Sequence, residues 1–187
     1  MLGASDALPS GTGLSVSNSG VLDLNGYDGT VQYLDGDGTV ALGGATLTVS
    51  GGSVEHGFAG SVTENGTLVY AATNRWITSG AWTFSGHLVL TDGTMAVQGD
   101  LDSCASLALY SDAVLQGTGS VSDAVLYGTV EPGTNFGAVG RLTCGDVSLQ
   151  SGGRLRVDIG DAGGTAGMDW DLLSAGSISV NAASADP

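Results

Sequence analysis

Gly86-His87-Leu88-Val89-Leu90, followed closely by Gly93-Thr94-Met95-Ala96-Val97, sets the pattern for the whole chain. Each piece opens on glycine and then alternates apolar with small or polar residues. A period of two bounded by turn residues marks a short, half-buried strand, because successive side chains point to opposite faces. The unit recurs upstream as Gly13-Leu14-Ser15-Val16, Gly20-Val21-Leu22-Asp23-Leu24, Gly38-Thr39-Val40-Ala41-Leu42, Thr46-Leu47-Thr48-Val49 and Gly66-Thr67-Leu68-Val69-Tyr70. It recurs downstream as Ser106-Leu107-Ala108-Leu109, Gly119-Ser120-Val121, Val147-Ser148-Leu149, Leu155-Arg156-Val157 and Ser177-Ile178-Ser179-Val180.

Turn residues return after about seven to nine residues, a spacing shared by sandwiches, barrels and solenoids. An antiparallel meander would use two-residue Asn-Gly or Asp-Gly hairpins. Asn25-Gly26, Asp28-Gly29, Asp37-Gly38, Asn65-Gly66 and Asp92-Gly93 are available for that. The strands are very short, however, and their inward residues are mostly Leu, Val and Ile. That monotony suits coils whose like residues stack on the coil below. It favours an all-β, single-stranded parallel β-helix over a sandwich. Three strands per coil of ~20–24 residues give about eight short coils, ~4.8 Å apart. The glycine- and proline-free stretches 67–79 and 100–116 alternate better than they repeat every 3.6 residues, so they read as strands too. Loops are expected near 131–140, around Glu131-Pro132-Gly133-Thr134-Asn135-Phe136-Gly137, and near 160–169, where four glycines fall between 160 and 167. The span 1–187 reads as a single β-helical domain.

Composition narrows the function. The 187 residues include 33 glycines, no lysine and four arginines (Arg75, Arg141, Arg154 and Arg156), against 19 acidic residues, for a net charge of −15. A nucleic-acid binder or a polybasic membrane patch needs cations that are absent. A helical protein draws on Glu and Lys, which are nearly missing. An apolar content of 42% can build a core, which argues against disorder. The glycines keep no three-residue period, so the chain is not a collagen. No run of 18 apolar residues offers a membrane span, and Met1-Leu2-Gly3-Ala4-Ser5-Asp6 lacks the basic and apolar regions of a signal peptide. Cys104 and Cys144 are too few for a disulfide scaffold. They lie 40 residues apart, about two coils, so stacking would set them ~9–10 Å apart, too far to bridge. Two buried small side chains is the favoured reading.

Four stretches resemble the passenger regions of bacterial autotransporters, specifically the autotransporter-associated β-strand repeat. The first is Ala7-Leu8-Pro9-Ser10-Gly11-Thr12-Gly13-Leu14, leading into Gly20-Val21-Leu22-Asp23-Leu24-Asn25-Gly26-Tyr27-Asp28. The second runs from Thr46-Leu47-Thr48-Val49-Ser50-Gly51-Gly52 through Phe58-Ala59-Gly60-Ser61-Val62 to Asn65-Gly66-Thr67-Leu68. The third is Leu115-Gln116-Gly117-Thr118-Gly119-Ser120-Val121 with Gly128-Thr129-Val130-Glu131-Pro132-Gly133. The last begins at Gly140-Arg141-Leu142-Thr143 and ends in Asp169-Trp170-Asp171-Leu172-Leu173. The resemblance implies a right-handed β-helix, a piece of a longer passenger, placed outside the cell or on the bacterial surface. Such repeats serve as stalks beneath varied functions. Passengers are usually longer and end in a membrane β-barrel, and neither barrel nor signal is in this sequence.

Aspartate is the abundant ionisable residue, so chemistry here would be carboxylate chemistry. The pairs Asp35/Asp37, Asp100/Asp102 and Asp169/Asp171 each place two carboxylates on one face of a strand, ~6.5–7 Å apart. With further oxygen ligands such a pair can hold calcium. Drawn closer by a turn, it can share a proton as an acid/base dyad. The competing reading is that aspartates at loop edges cap turns. Asp-Gly-Thr at Asp28, Asp37 and Asp92 has the last two residues of the aspartic peptidase loop exchanged, and Arg154 and Arg156 can share a strand face. His56 and His87 lack an H-E-x-x-H frame, and no Gly-x-Ser-x-Gly elbow is present, so both histidines read as exposed. No double glycine continues into the calcium-binding nonapeptide. No four-ligand zinc spacing occurs. Trp76, Trp82 and Trp170 are candidates for stacking on sugar rings, against core or coil-capping roles.

Three functions follow as expectations. The first is a monomeric structural and adhesive module contacting host glycoproteins. The second is an extracellular aspartic-type peptidase acting on secreted glycoproteins such as mucin. The third is a glycan-binding module. No cofactor is expected beyond a weak case for calcium.

Overall fold

The structure, a computed structural model, describes residues 1–5, 7–9, 11–52 and 54–181. Asp6, Ser10, Ser53 and the end of the 1–187 span, 182–187, lie outside the described residues. All regular elements among the described residues are strands, and every ladder between strands is parallel. The chain winds as a β-solenoid of about seven turns. The antiparallel alternative is overturned at its best candidate. Asp92-Gly93 is no hairpin but a corner inside the strand His87–Val97, where Gly93 takes a φ of 63°.

Three flat faces carry eight rungs each among the described residues. Face one stacks Gly13–Val16, Tyr33–Gly36, His56–Phe58, Arg75–Thr78, the second halves of His87–Val97 and Ser106–Gly117, then Thr129–Pro132 and Arg154–Leu155. Face two stacks Val21–Asp23, Thr39–Ala41, Ser61–Glu64, Thr83–Phe84, Asp100–Leu101, Ser120–Val121, Arg141–Cys144 and Leu172–Ser174. Its middle is joined by one bridge, Ala81 to Asp100. Face three stacks Gly29–Val31, Thr46–Val49, Thr67–Tyr70, the first halves of His87–Val97 and Ser106–Gly117, Ala124–Leu126, Val147–Gln150 and Ile178–Asn181.

The period-two pattern becomes ladders. On face three one inward column runs Leu47, Leu68, Leu88, Leu107, Ala124, Val147, and the next runs Val31, Val49, Tyr70, Leu90, Leu109, Leu126. All are buried. Burying one such aliphatic side chain is worth about 1.5–3 kcal/mol. Coil closure leaves no room at some corners. A Cβ on Gly117, whose φ is 135°, would meet the Val97 carbonyl oxygen at 1.9 Å.

The interior is less purely aliphatic than the sequence suggests. Phe58, Tyr70, Trp76, Trp82 and Phe84 are all inside. Trp76 has a specific reason to be there. Strand His56–Phe58 meets Tyr33–Gly36 only through Gly36 and Phe58, so the ladder opens beside Leu34. The Trp76 indole N–H donates to the Leu34 carbonyl at 3.0 Å across two coils and satisfies it. Tyr70 stacks on Trp76 at 5.4 Å, and Trp82 lies tilted against it at 6.1 Å. Among the described residues no helix is long and apolar enough to cross a membrane.

Candidate functional site

The three aspartate pairs meet different fates. Asp35 and Asp37 are separated by a turn at Gly36 and act singly. Asp35 accepts from the Gly57 N–H at 2.9 Å and from His56 Nδ1–H at 2.9 Å, while Asp37 caps the Asn18 N–H. Asp169 accepts from the Thr165 N–H at 2.7 Å. Asp171, only 2% exposed, accepts from Gly140 N–H and Asp158 N–H, each at 2.8 Å. Asp171 thus pins the two long loops, 133–140 and 156–171, to each other. This is turn and loop chemistry, the reading that competed with a dyad in each case.

Asp100 and Asp102 are brought together, by a turn rather than by the strand pleat. The strand ends at Leu101, and the Asp102 N–H folds back to donate to Asp100 Oδ1 at 3.1 Å. The Ser120 hydroxyl on the next rung donates to the same oxygen at 2.6 Å. That hydroxyl and the Asp102 N–H hold the Asp100 carboxyl below its ordinary value. The nearby Asp100 charge pushes Asp102 up. Both carboxyls are exposed to solvent, so this is a turn contact at the surface rather than an enclosed pair.

A groove of about 320 Å³ lies beside them, lined by Asp102, Cys104, Ser120, Ser122, Asp123 and Cys144 among others. Both cysteines are free and buried. Cys104 Sγ lies 2.9 Å from Ser122 Oγ and donates to the Leu101 carbonyl at 3.1 Å. Burial raises both thiols, Cys144 to about 12, so neither is a nucleophile at neutral pH. Among the described residues, no three His, Cys, Asp or Glu side chains converge as metal ligands.

Trp76 and Trp82, 1% and 3% exposed, have no free ring face for a sugar. Trp170 is half-buried in the last long loop. His87 is exposed and lies 2.9 Å from Ser106 Oγ. His56 corrects the expectation of an exposed histidine: it is half-buried, stacked at 4.1 Å on Tyr33 while bound to Asp35. The Tyr33 ring and the Asp35 carboxylate on the preceding rung cover it. Arg156 lies over the Phe136 ring at 3.5 Å and sets its Nε 3.8 Å from Oε1 of buried Glu131. Glu131 Oε2 accepts from Gln116 Nε2 at 3.1 Å, while Oε1 has no hydrogen bond. Arg75 donates to Glu55 and to the Thr134 carbonyl. The loop after Pro132 is therefore strapped back along face one.

One surface feature had no counterpart in the sequence reading. Tyr110 and Tyr127 follow the third-face strands of successive rungs, and their rings stack with centroids 6.0 Å apart. Each is separated from its neighbours in sequence by ordinary strand residues, so only the register of the coils reveals the pair.

A three-faced parallel solenoid with polar outer columns and carboxylates mostly spent on turns defines the class: a β-solenoid module of repeated coils. Within that class, the chain is 36% identical over 110 residues to the Adhesin BmaC autotransporter of Brucella suis biovar 1 (strain 1330). The match takes in 54% of this chain and 3% of that protein, so the chain spans only a small part of its relative's length. No protein-family model and no solved structure matches the chain. The similarity and the solenoid together fit an autotransporter passenger region.

Proposed function

We propose that the chain is an adhesive segment of a passenger displayed on the bacterial surface, where its solenoid presents an outer flank to host glycoproteins. The observation that carries this reading is the union of an in-register parallel solenoid with likeness to an autotransporter adhesin. A solenoid suits the task physically. Each coil needs only its neighbours for stability, so the outer columns are free to vary for contact. The −15 charge keeps such a surface soluble and disfavours acidic partners. Beads coated with the purified chain should adhere to immobilised host glycoprotein above a control of equal charge, and enzymatic deglycosylation of the glycoprotein should reduce the adhesion. Adhesion at the control level would end this reading.

The Asp100–Asp102 contact favours one second reading, an extracellular aspartic-type peptidase acting on secreted glycoproteins such as mucin. Its test is mucin cleavage over roughly pH 3–8. Cleavage that disappears with Asp102→Asn supports it, and no cleavage across the range removes it.

A further inference from the structure

We infer that Tyr110 and Tyr127 form a binding site for the apolar face of a neutral sugar ring; this deepens the adhesive reading by naming the chemistry it recognises. The register brings the two together. Leu109 faces Leu126 on the neighbouring rung, so the residues that follow them meet at the same corner, between faces three and one. Other coils place Ser50, Ala71, Thr91 and Gln150 at this corner. Coil closure therefore asks for no aromatic there. The two rings nevertheless remain 48% and 41% exposed, with their planes within 18° of parallel.

Beside them is a depression of about 280 Å³ lined by Tyr110, Ser111, Tyr127, Ser151 and Gly152. It is near the lower end of ligand pockets, which run from ~300 Å³ upward, and so suits a sugar ring rather than a large ligand. An exposed aromatic face bordered by hydroxyls matches a pyranose, which offers a C–H face and a rim of hydroxyls.

Charge selects among sugars. Arg75 binds Glu55 and Thr134, Arg141 binds Ser174 and Arg156 faces Glu131, so these cations are engaged elsewhere. Arg154 is exposed at the start of the next face-one rung, and its N–H donates to the Gly128 carbonyl, next to Tyr127, so one cation lies near this corner. Asp112 is exposed two residues from Tyr110. The net charge of −15, with Asp112 beside the rings, weighs against sialylated and sulfated sugars and favours neutral rings.

The test is a printed array of neutral, sialylated and sulfated oligosaccharides, read with the intact chain and two double variants. Tyr110→Phe/Tyr127→Phe keeps the stacked rings, and Tyr110→Ala/Tyr127→Ala removes them. Thermal unfolding of both variants shows whether the solenoid is kept. The intact chain and the Phe variant should bind neutral sugars alike, and the Ala variant should lose about tenfold or more in affinity. A silent array, a preference for anionic sugars, or a folded Ala variant that binds as well as the intact chain would each overturn the site. If the Ala variant does not fold, tyrosine ring signals of the intact chain are followed by NMR during titration with the best neutral sugar. Shifts at Tyr110 and Tyr127 support the site, and unshifted rings overturn it. The same proteins on glycoprotein-coated beads separate the two proposals. Adhesion that survives loss of the rings sinks the site alone, and sugar binding without adhesion sinks the adhesive reading alone.

Discussion

Trp76 shows how a single residue closes a gap that the repeat leaves open. Its indole N–H is the donor for a Leu34 carbonyl that the ladder beside His56 does not serve. Trp76→Phe keeps an aromatic ring but removes the donor and leaves a buried carbonyl short of a partner. Chemical denaturation should register a loss of about 2–4 kcal/mol, from the lost hydrogen bond and the smaller ring together. Cys144 gives a second test at this scale, through pH. Its thiol is raised to about 12 by burial, whereas an unfolded chain would release the proton near 9. Between those values the unfolded state binds fewer protons than the folded one, so stability falls as pH rises from about 9 towards 12. Cys144→Ala should flatten that part of the stability–pH curve. Residue roles of this kind were poorly legible in the sequence. Trp76 is 42 positions from Leu34, and its task exists only because one rung departs from the pattern.

At the scale of an element, the segment after Pro132 is the most informative. Gly133 forms a bridge with Gly117, the Thr134 carbonyl receives Arg75, and the Gly137 N–H donates to Asp158 Oδ2 at 3.1 Å. Glu131, 3% exposed, lies in an outward column of face one beside Gln116, and Arg156 is its counter-charge. Arg156→Ala should destabilise the chain by about 1–3 kcal/mol. This is less than for a fully buried pair, because Arg156 is 42% exposed. Adding Glu131→Gln should recover most of the loss, since the uncompensated charge goes with it. Additive losses in the double variant, measured by denaturant unfolding, would show that the two side chains act independently. Pro132-Gly133 was the visible sign of a break near 131–140, although the strand runs on through Pro132. The loop's return along face one was not legible, since that depends on partners as distant as Arg75. The Asp100–Asp102 contact lies between these cases. The spacing pointed to the pair, but the turn that joins them comes from the strand ending at Leu101.

At the scale of the whole molecule, the repeat was the part most clearly written in the sequence. Leu68, Leu88 and Leu107 occupy equivalent places in their units and stack in one column. Such stacking makes stability a sum of coils and nearest-neighbour interfaces. What the repeat could not convey is the exact length of each coil. A coil that is one residue longer or shorter changes which outer side chains become neighbours, and the Tyr110–Tyr127 stack depends on that register. The reading of the flank as adhesive rests on the same geometry, because a different winding would scatter these outer columns.

The most direct measurement is the pattern of backbone nuclear Overhauser contacts in the isotopically labelled chain. The expected result is contacts between successive coils, from Leu68 to Leu88 and from Leu88 to Leu107, in the sequence of a parallel ladder. Close Hα–Hα contacts across Asp92-Gly93, pairing residues 87–90 with 94–97 as an antiparallel hairpin, would contradict it.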